Sequence, residues 1–271
     1  MASKLIVPQL ENPGADGVVL DITPESAGWT YVGFKVVKLE AGQRFSAETG
    51  DREVCLVLLS GKANVATAKA EWSNIGARMS VFEKIPPYSV YVPGADRYEV
   101  VALTELELAV CSAPAGGDYE ARLIAPEHVG VEVRGSGSME RLVQNILPES
   151  HPAHSLLVVE VFTPEGNWSS YPPHKHDRDA LPEESLLEET YYFHVDPGQG
   201  FAIQRVYTDD RTLDETLAVK DGQAVLVPEG YHPVAAPAGY EVYYLNVMAG
   251  PTRTWKFYND PDHEWLFPKR Q

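Results

Sequence analysis

Apolar positions along this 271-residue chain fall in short runs, not in long helical stripes. Runs at 54–59, 89–92, 105–111, 156–162, 190–195, 200–207, 223–227 and 241–247 are continuous or alternate with polar residues, and clusters of Gly, Pro, Asn and Asp separate them. A period of two marks a half-buried strand. A short continuous apolar run bounded by turn formers marks a strand buried on both faces. Helical spacing occurs at 138–146, where Met139, Leu142, Val143 and Ile146 share a face, and it predicts a short helix there. Many short strands, with 21 Gly and 21 Pro, predict an all-β sandwich or barrel.

The pattern also repeats. In the first half, a segment ending at Gly61 is followed by Ser89-Val90-Tyr91-Val92-Pro93-Gly94 and an alternating run to Cys111. In the second, a segment ending near Gly198 is followed by Gly222-Gln223-Ala224-Val225-Leu226-Val227-Pro228-Glu229-Gly230 and a run to Met248. The stretch 113–137 is rich in turn formers and suits an interdomain connection. A weak internal duplication follows, with units at 1–125 and 126–271.

Composition narrows the class. Hydrophobic residues make up 44% and charged residues 23%, as in a soluble globular protein. The formal charge of −17 argues against nucleic acid and anionic membranes as partners, since both require clustered Lys and Arg. No basic-then-apolar stretch opens the chain and no apolar run approaches ~20 residues, so a cytoplasmic protein that neither spans nor binds a membrane is expected. Cys55 and Cys111 both sit in apolar runs and read as buried thiols of a reducing compartment.

The richest local signal is Gly166-Asn167-Trp168-Ser169-Ser170-Tyr171-Pro172-Pro173-His174-Lys175-His176-Asp177. Residues two apart on a strand face the same side, so His174 and His176 aim their imidazoles at one point while Lys175 turns away. Glu189 opens a strand-like run, and His232 follows the turn Pro228-Glu229-Gly230-Tyr231. Three imidazoles and a carboxylate suit Mn, Fe, Co, Ni or Zn better than Ca or Mg. Against this stands a plainer reading, in which the His pair lies on the surface and Glu189 is a solvated strand-end charge. His128, His151, His154, His194 and His263 lack the arrangement and read as surface or hydrogen-bonding residues.

These motifs resemble the cupins. That family's second motif places Pro-x-Gly five residues after a Gly and a His shortly afterwards. Here Gly222, Pro228-Glu229-Gly230 and His232 match it, one residue short and without the family's final Asn. Twelve residues separate His176 from Glu189, so an insertion loops out and the carboxylate falls on Glu188 or Glu189. Glu189 is preferred because it begins a Glu-x-Tyr. The segments 167–177, 187–192, Gly200-Phe201 with Gln204-Arg205-Val206-Tyr207, and 243–250 are similar to the uronate ketol-isomerase family of inositol catabolism and pectin breakdown.

The resemblance implies a bicupin of two tandem antiparallel β-barrels, with one divalent transition metal per chain in the second barrel, Zn or Mn first, then Fe, Co or Ni. The first barrel fits, having Pro93-Gly94-Ala95-Asp96-Arg97 where the second has Pro228 to His232. It further implies an aldose–ketose isomerisation, 5-deoxy-D-glucuronate to 2-deoxy-5-keto-D-gluconate, by a homo-oligomer. A small anionic sugar acid calls for a cation near the metal, with Arg205 the first candidate and Arg178 and Lys175 next. Glu189 and Tyr191, which share strand parity, are the candidates for moving a proton. The rival classes are a cupin dioxygenase using Fe(II) and a non-catalytic sugar-acid-binding bicupin.

Overall fold

A computed structural model describes residues 3–267. The first half contains a six-stranded sheet in the order Arg122–Ile124, Ser89–Val92, Arg52–Ser60, Leu106–Pro114, Gly33–Leu39 and Val18–Ile22. A four-stranded sheet, Arg44–Glu48, Arg97–Ala102, Ala63–Thr67 and Glu71–Ile75, packs against it. The second half repeats the plan. Its large sheet runs Ile6–Val7, Ala224–Val227, Glu188–Asp196, Glu241–Ala249, Leu157–Thr163, Arg141–Leu147 and Gly130–Arg134. Its small sheet runs Trp168–Ser169, Val234–Ala235, Phe201–Tyr207 and Asp214–Lys220. Neighbouring strands pair antiparallel throughout. Each half is thus a sandwich of two sheets, the jelly-roll form of a cupin barrel.

Pairing register establishes the duplication. Val54 sits opposite Val92 and Ser112 in the first half, while Glu189 sits opposite Val227 and Met248 in the second. Val92 and Val227 each precede a proline turn. Val54 therefore occupies the place of Glu189, and Glu53 that of Glu188. The chain passes between the halves near Pro126–His128, but Ile6–Val7 crosses over to pair with Ala224–Val227.

The two large sheets pack on each other, which explains the continuous apolar runs. Val54, Leu56 and Leu58 fill the first half's own core, whereas Cys55, Val57 and Leu59 face the second half. Tyr191 and Phe193 fill the second core, while Tyr192 faces the first half. A strand covered on both faces has no polar side to alternate with. Phe201–Tyr207 belongs to an outer sheet, and it alternates at first between exposed and buried positions.

Buried carboxylates tie the halves together. Glu53 accepts from the backbone N–H groups of His154, Ser155 and Leu156 at 2.7–2.8 Å. Its counterpart Glu188 accepts from Thr30, Tyr31 and Val32 at 2.6–2.9 Å. Each half's glutamate therefore satisfies three backbone donors of the other. Arg78 of the first half grips Glu160 of the second through two hydrogen bonds of 2.7 and 2.8 Å. Such pairing is what allows charge to be buried.

One expected element is corrected. Residues 141–147 form a strand, preceded by a short turn at Gly137–Met139, and not a helix. Leu142 and Ile146 pack toward the first half and Val143 into the second core. Apolar spacing at 139, 142, 143 and 146 fits a two-faced strand as well as a helix face, and the flanking strands decide the matter. Cys55 and Cys111 are register partners on adjacent strands, and both are buried free thiols.

Candidate metal centre

Four short elements converge inside the second barrel. His174–Lys175 is a two-residue strand that pairs with Tyr258–Asn259. His176 follows directly, before the hairpin of Asp177–Ala180 and Glu184–Leu186 that makes up most of the predicted insertion. Glu189 lies one residue into the central strand Glu188–Asp196. His232 comes out of the turn after Gly230, whose φ is +87° and where any Cβ would stand 2.4 Å from the Tyr207 carbonyl oxygen. Only glycine can make that turn.

His176, Glu189 and His232 present one ligand atom each within 4.8 Å of one another, and all three are buried. His176 Nε2 is 3.1 Å and His232 Nε2 3.2 Å from the same Glu189 oxygen, Oε2. The His174 ring is centred 5.0 Å from that of His232 and 6.4 Å from that of His176, and it keeps a partly exposed edge. Of the two candidate carboxylates, Glu189 faces the histidines, while Glu188 accepts from the other half's backbone.

The donor set fits a metal ion. His176 Nδ1 donates to the Leu187 carbonyl at 3.0 Å, and His232 Nδ1 donates to the Gly230 carbonyl at 2.8 Å. With Nδ1 carrying the proton, each neutral ring turns the Nε2 lone pair toward Glu189. Two lone pairs facing a carboxylate need a cation between them, and backbone carbonyls holding the far nitrogen are the usual support of a metal-bound imidazole. His232 Nε2 has no well-directed hydrogen bond despite its burial.

Without an ion, electrostatics draw positive charge toward the same carboxylate. Burial would raise the Glu189 carboxyl, but in the absence of an ion its contacts with His176 and His232 take it down to about 2. For His176 burial favours the neutral ring, yet contact with Glu189 prevails and its pKa is raised. His174 is driven well below the ordinary range, first by burial and then by the neighbouring His232 and His176. The cluster holds one carboxylate firmly ionised and calls for positive charge at its centre.

Tyr191 lies beside the cluster, its ring 5.8 Å from that of His232. Its hydroxyl is 3.0 Å from Ser170 Oγ, which is 3.3 Å from the Tyr244 hydroxyl. Burial, and then the charge of Glu189, push the Tyr191 pKa far up, so it stays protonated.

The three expected substrate cations are not at this centre. Arg205 lies on the outer face of its strand, bonded to Asp214 at 2.7 and 2.8 Å and stacked over Tyr207. Strand parity is the reason: Ala202, Gln204 and Val206 take the inward positions. Lys175 is buried but turned from the histidines, within 2.6 Å of Asp177 and 3.3 Å of Glu184. Exposed Arg178 pairs with Glu184 at 3.2 Å. Both cations brace the inserted hairpin, whose Asp177 also accepts from the N–H of Gly230 at 2.8 Å.

Two other arginines do lie here, Arg141 and Arg134, of which, among the described residues, only Arg134 is paired with a carboxylate. With Tyr171, His174, Trp255 and Phe257 they line a hollow of about 310 Å³ that opens onto the exposed edge of His174. Read as a strand, 141–147 puts Arg141 on the same side as Val143, which faces the second core. The helical reading concealed that parity.

Comparison with known proteins completes the picture. The model of the KduI/IolB family matches residues 5–266. The 5-deoxy-glucuronate isomerase of Geobacillus kaustophilus is 65% identical over 268 residues, covering 99% of this chain and 97% of its own. That of Bacillus subtilis strain 168 is 53% identical over 253 residues, covering 93% of each. The crystal structure of an IolB-like protein from Salmonella typhimurium LT2 superposes with a TM-score of 0.94 at 53% identity, covering 97% of this chain and 98% of that one. The oxalate decarboxylase of Lactobacillus farciminis aligns with a TM-score of 0.66 at 12% identity, covering 99% and 92%, which shows the shared bicupin fold alone. By sequence along nearly its whole length, and by fold, the chain belongs to the KduI/IolB family.

Proposed function

We propose that this isomerase interconverts 5-deoxy-D-glucuronate and 2-deoxy-5-keto-D-gluconate in inositol catabolism, using one divalent transition metal held by His174, His176, Glu189 and His232. The observation that carries the reading is the pair of Nε2 atoms facing one ionised Glu189 oxygen, in a chain 65% identical to a protein of that activity. Zn or Mn suits three imidazoles and a carboxylate best, with Fe, Co or Ni as alternatives.

The chemical problem is to remove a proton from the hydroxyl-bearing carbon beside the aldehyde and return one to the aldehyde carbon. A metal bound at this site supplies Lewis acidity toward the oxygens of the developing enediol. The chain's own groups do the rest. Glu189 keeps a second oxygen with which to take up a proton. Tyr191 cannot act as the base because its hydroxyl stays protonated; it donates a hydrogen bond and relays a proton toward Ser170 and Tyr244. Aromatic walls from Trp255 and Phe257 limit water at the mouth.

Free thiols at Cys55 and Cys111, facing each other across a strand pair, suit a cytoplasmic location. No helix among the described residues is long and apolar enough to cross a membrane. A homo-oligomer suits the edge strand Gly130–Arg134, which leaves Val131 and Val133 exposed. The assay is anaerobic incubation of the metal-loaded protein with the uronate in D2O, followed by NMR. Ketose formation, with deuterium entering at the exchanged carbon when the proton equilibrates with solvent, is expected. A requirement for oxygen would point to a dioxygenase, and binding without conversion to a sugar-acid-binding protein.

A further inference from the structure

The proposed substrate is an anion, yet the chain carries a formal charge of −17. A field of that sign repels the substrate at long range, so a local cation must overcome it. Several cations of the second half are already engaged with carboxylates. Lys175 and Arg178 are held by Asp177, Glu184 and Asp209, and Arg205 by Asp214. Arg134, at the mouth, is bonded to Glu132 at 2.6 and 3.0 Å and lies over Trp255.

Arg141 differs. It is half-buried, and its hydrogen bonds go to two backbone carbonyls, Met139 at 3.0 Å and Tyr171 at 3.2 Å, both from Nη1. Among the described residues no carboxylate lies within 4.0 Å of it, and its Nε and Nη2 make no hydrogen bond. Burial lowers its pKa from the ordinary arginine value. It lines the same hollow as His174. A half-buried guanidinium with its Nε and Nη2 edge free of protein partners, in a hollow that leads to His174, is placed to receive an anion.

We propose that Arg141 binds the carboxylate of the substrate and makes the site selective for sugar acids over neutral sugars. The inference rests on the proposed reaction for its substrate and names the end of the molecule remote from the chemistry. The two carbonyls fix Nη1, leaving the Nη2 and Nε edge to hold both carboxylate oxygens in the planar fork that arginine alone offers. A substrate anchored there lies along a hollow of about 310 Å³, at the small end for ligand sites, with its aldehyde end toward His174.

The test compares the wild type with Arg141→Met, Arg141→Lys and, as a control on the outer face, Arg205→Met. Two quantities are measured for the uronate and for the matching neutral deoxy-aldose: binding by calorimetry, and kcat/KM. Removing one partner of a desolvated charge pair predicts a fall of roughly 30-fold or more for the uronate in Arg141→Met. A fall of less than about threefold is expected for the neutral sugar, with metal content unchanged. The loss should appear mainly in KM, Arg141→Lys should recover part of it, and Arg205→Met should behave as wild type. Equal losses on both substrates, or uronate binding untouched by Arg141→Met, would overturn the assignment. Should the wild type bind the uronate in an Arg141-dependent manner but not convert it, the proposed reaction fails while the anion site stands.

Discussion

Glu188 and Glu189 are neighbours in sequence with opposite tasks, because successive strand residues face opposite sides. Glu189 turns into the barrel toward His176 and His232; Glu188 turns outward to three backbone N–H groups of the first half. Glu189→Gln should therefore lose most bound metal while keeping the fold. Glu188→Gln should keep its metal and lose roughly 2–3 kcal/mol of stability, since a buried ionic acceptor of several bonds is weakened. Elemental analysis and thermal unfolding of the two variants check this, and metal loss in Glu188→Gln alone would reverse the assignment. The meeting of His176, Glu189 and His232 was legible in sequence because an alternating His pair and a proline–glycine turn are local features. Arg205 stands on the outer face, a parity that its motif does not show. Its neighbours Gln204 and Val206 hold the inward positions. Arg141 was invisible because its value depends on Tyr171 and His174, which only the fold brings near.

At the scale of elements, apolar runs told strands from turns but not how many faces of a strand are buried. The same ambiguity made 141–147 resemble a helix, whose spacing a doubly covered strand can imitate. Pairing across the halves carries a second legible trace, the histidine in Glu188–Asp196. His194 lies 3.1 Å from Glu107 on the neighbouring half and 2.8 Å from Asp221. Burial opposes its charge, but Glu107 and Asp221 raise its pKa to about 9. Burial likewise opposes ionisation of Glu107, and His194 leads in bringing it to about 2. A raised folded-state pKa means stability that is complete below the unfolded value of ~6.5 and is lost as pH climbs through about 9. Between pH 6.5 and 9.5 this contact should cost on the order of 2 kcal/mol as it discharges. Glu107 stays ionised throughout that window. Unfolding measured across it should show a steeper decline in wild type than in His194→Gln, and parallel curves would rule the contact out as the source.

The whole molecule is a duplicated sandwich in which, among the described residues, the candidate ligand cluster lies in the second copy. At the register position of Glu189 the first half has Val54, and its proline turn leads to Arg97, so the first barrel presents no corresponding ligand set. Its contribution is to cover the back of the second barrel's central sheet, through shared core residues and the reciprocal Glu53 and Glu188 contacts. That division was partly legible: the repeated strand–turn–strand plan and the missing histidines were in the sequence, while the swapped glutamates appear only when register is known. The central claim is that one metal site in the second barrel serves the isomerisation. Its most direct test is to strip the protein with a chelator, titrate Zn or Mn back, and follow bound metal and uronate turnover together. The account predicts negligible turnover without metal and a rise that breaks at about one equivalent per chain, with both signals lost in His176→Ala. Full activity in the stripped protein, or a break at about two equivalents, would contradict it.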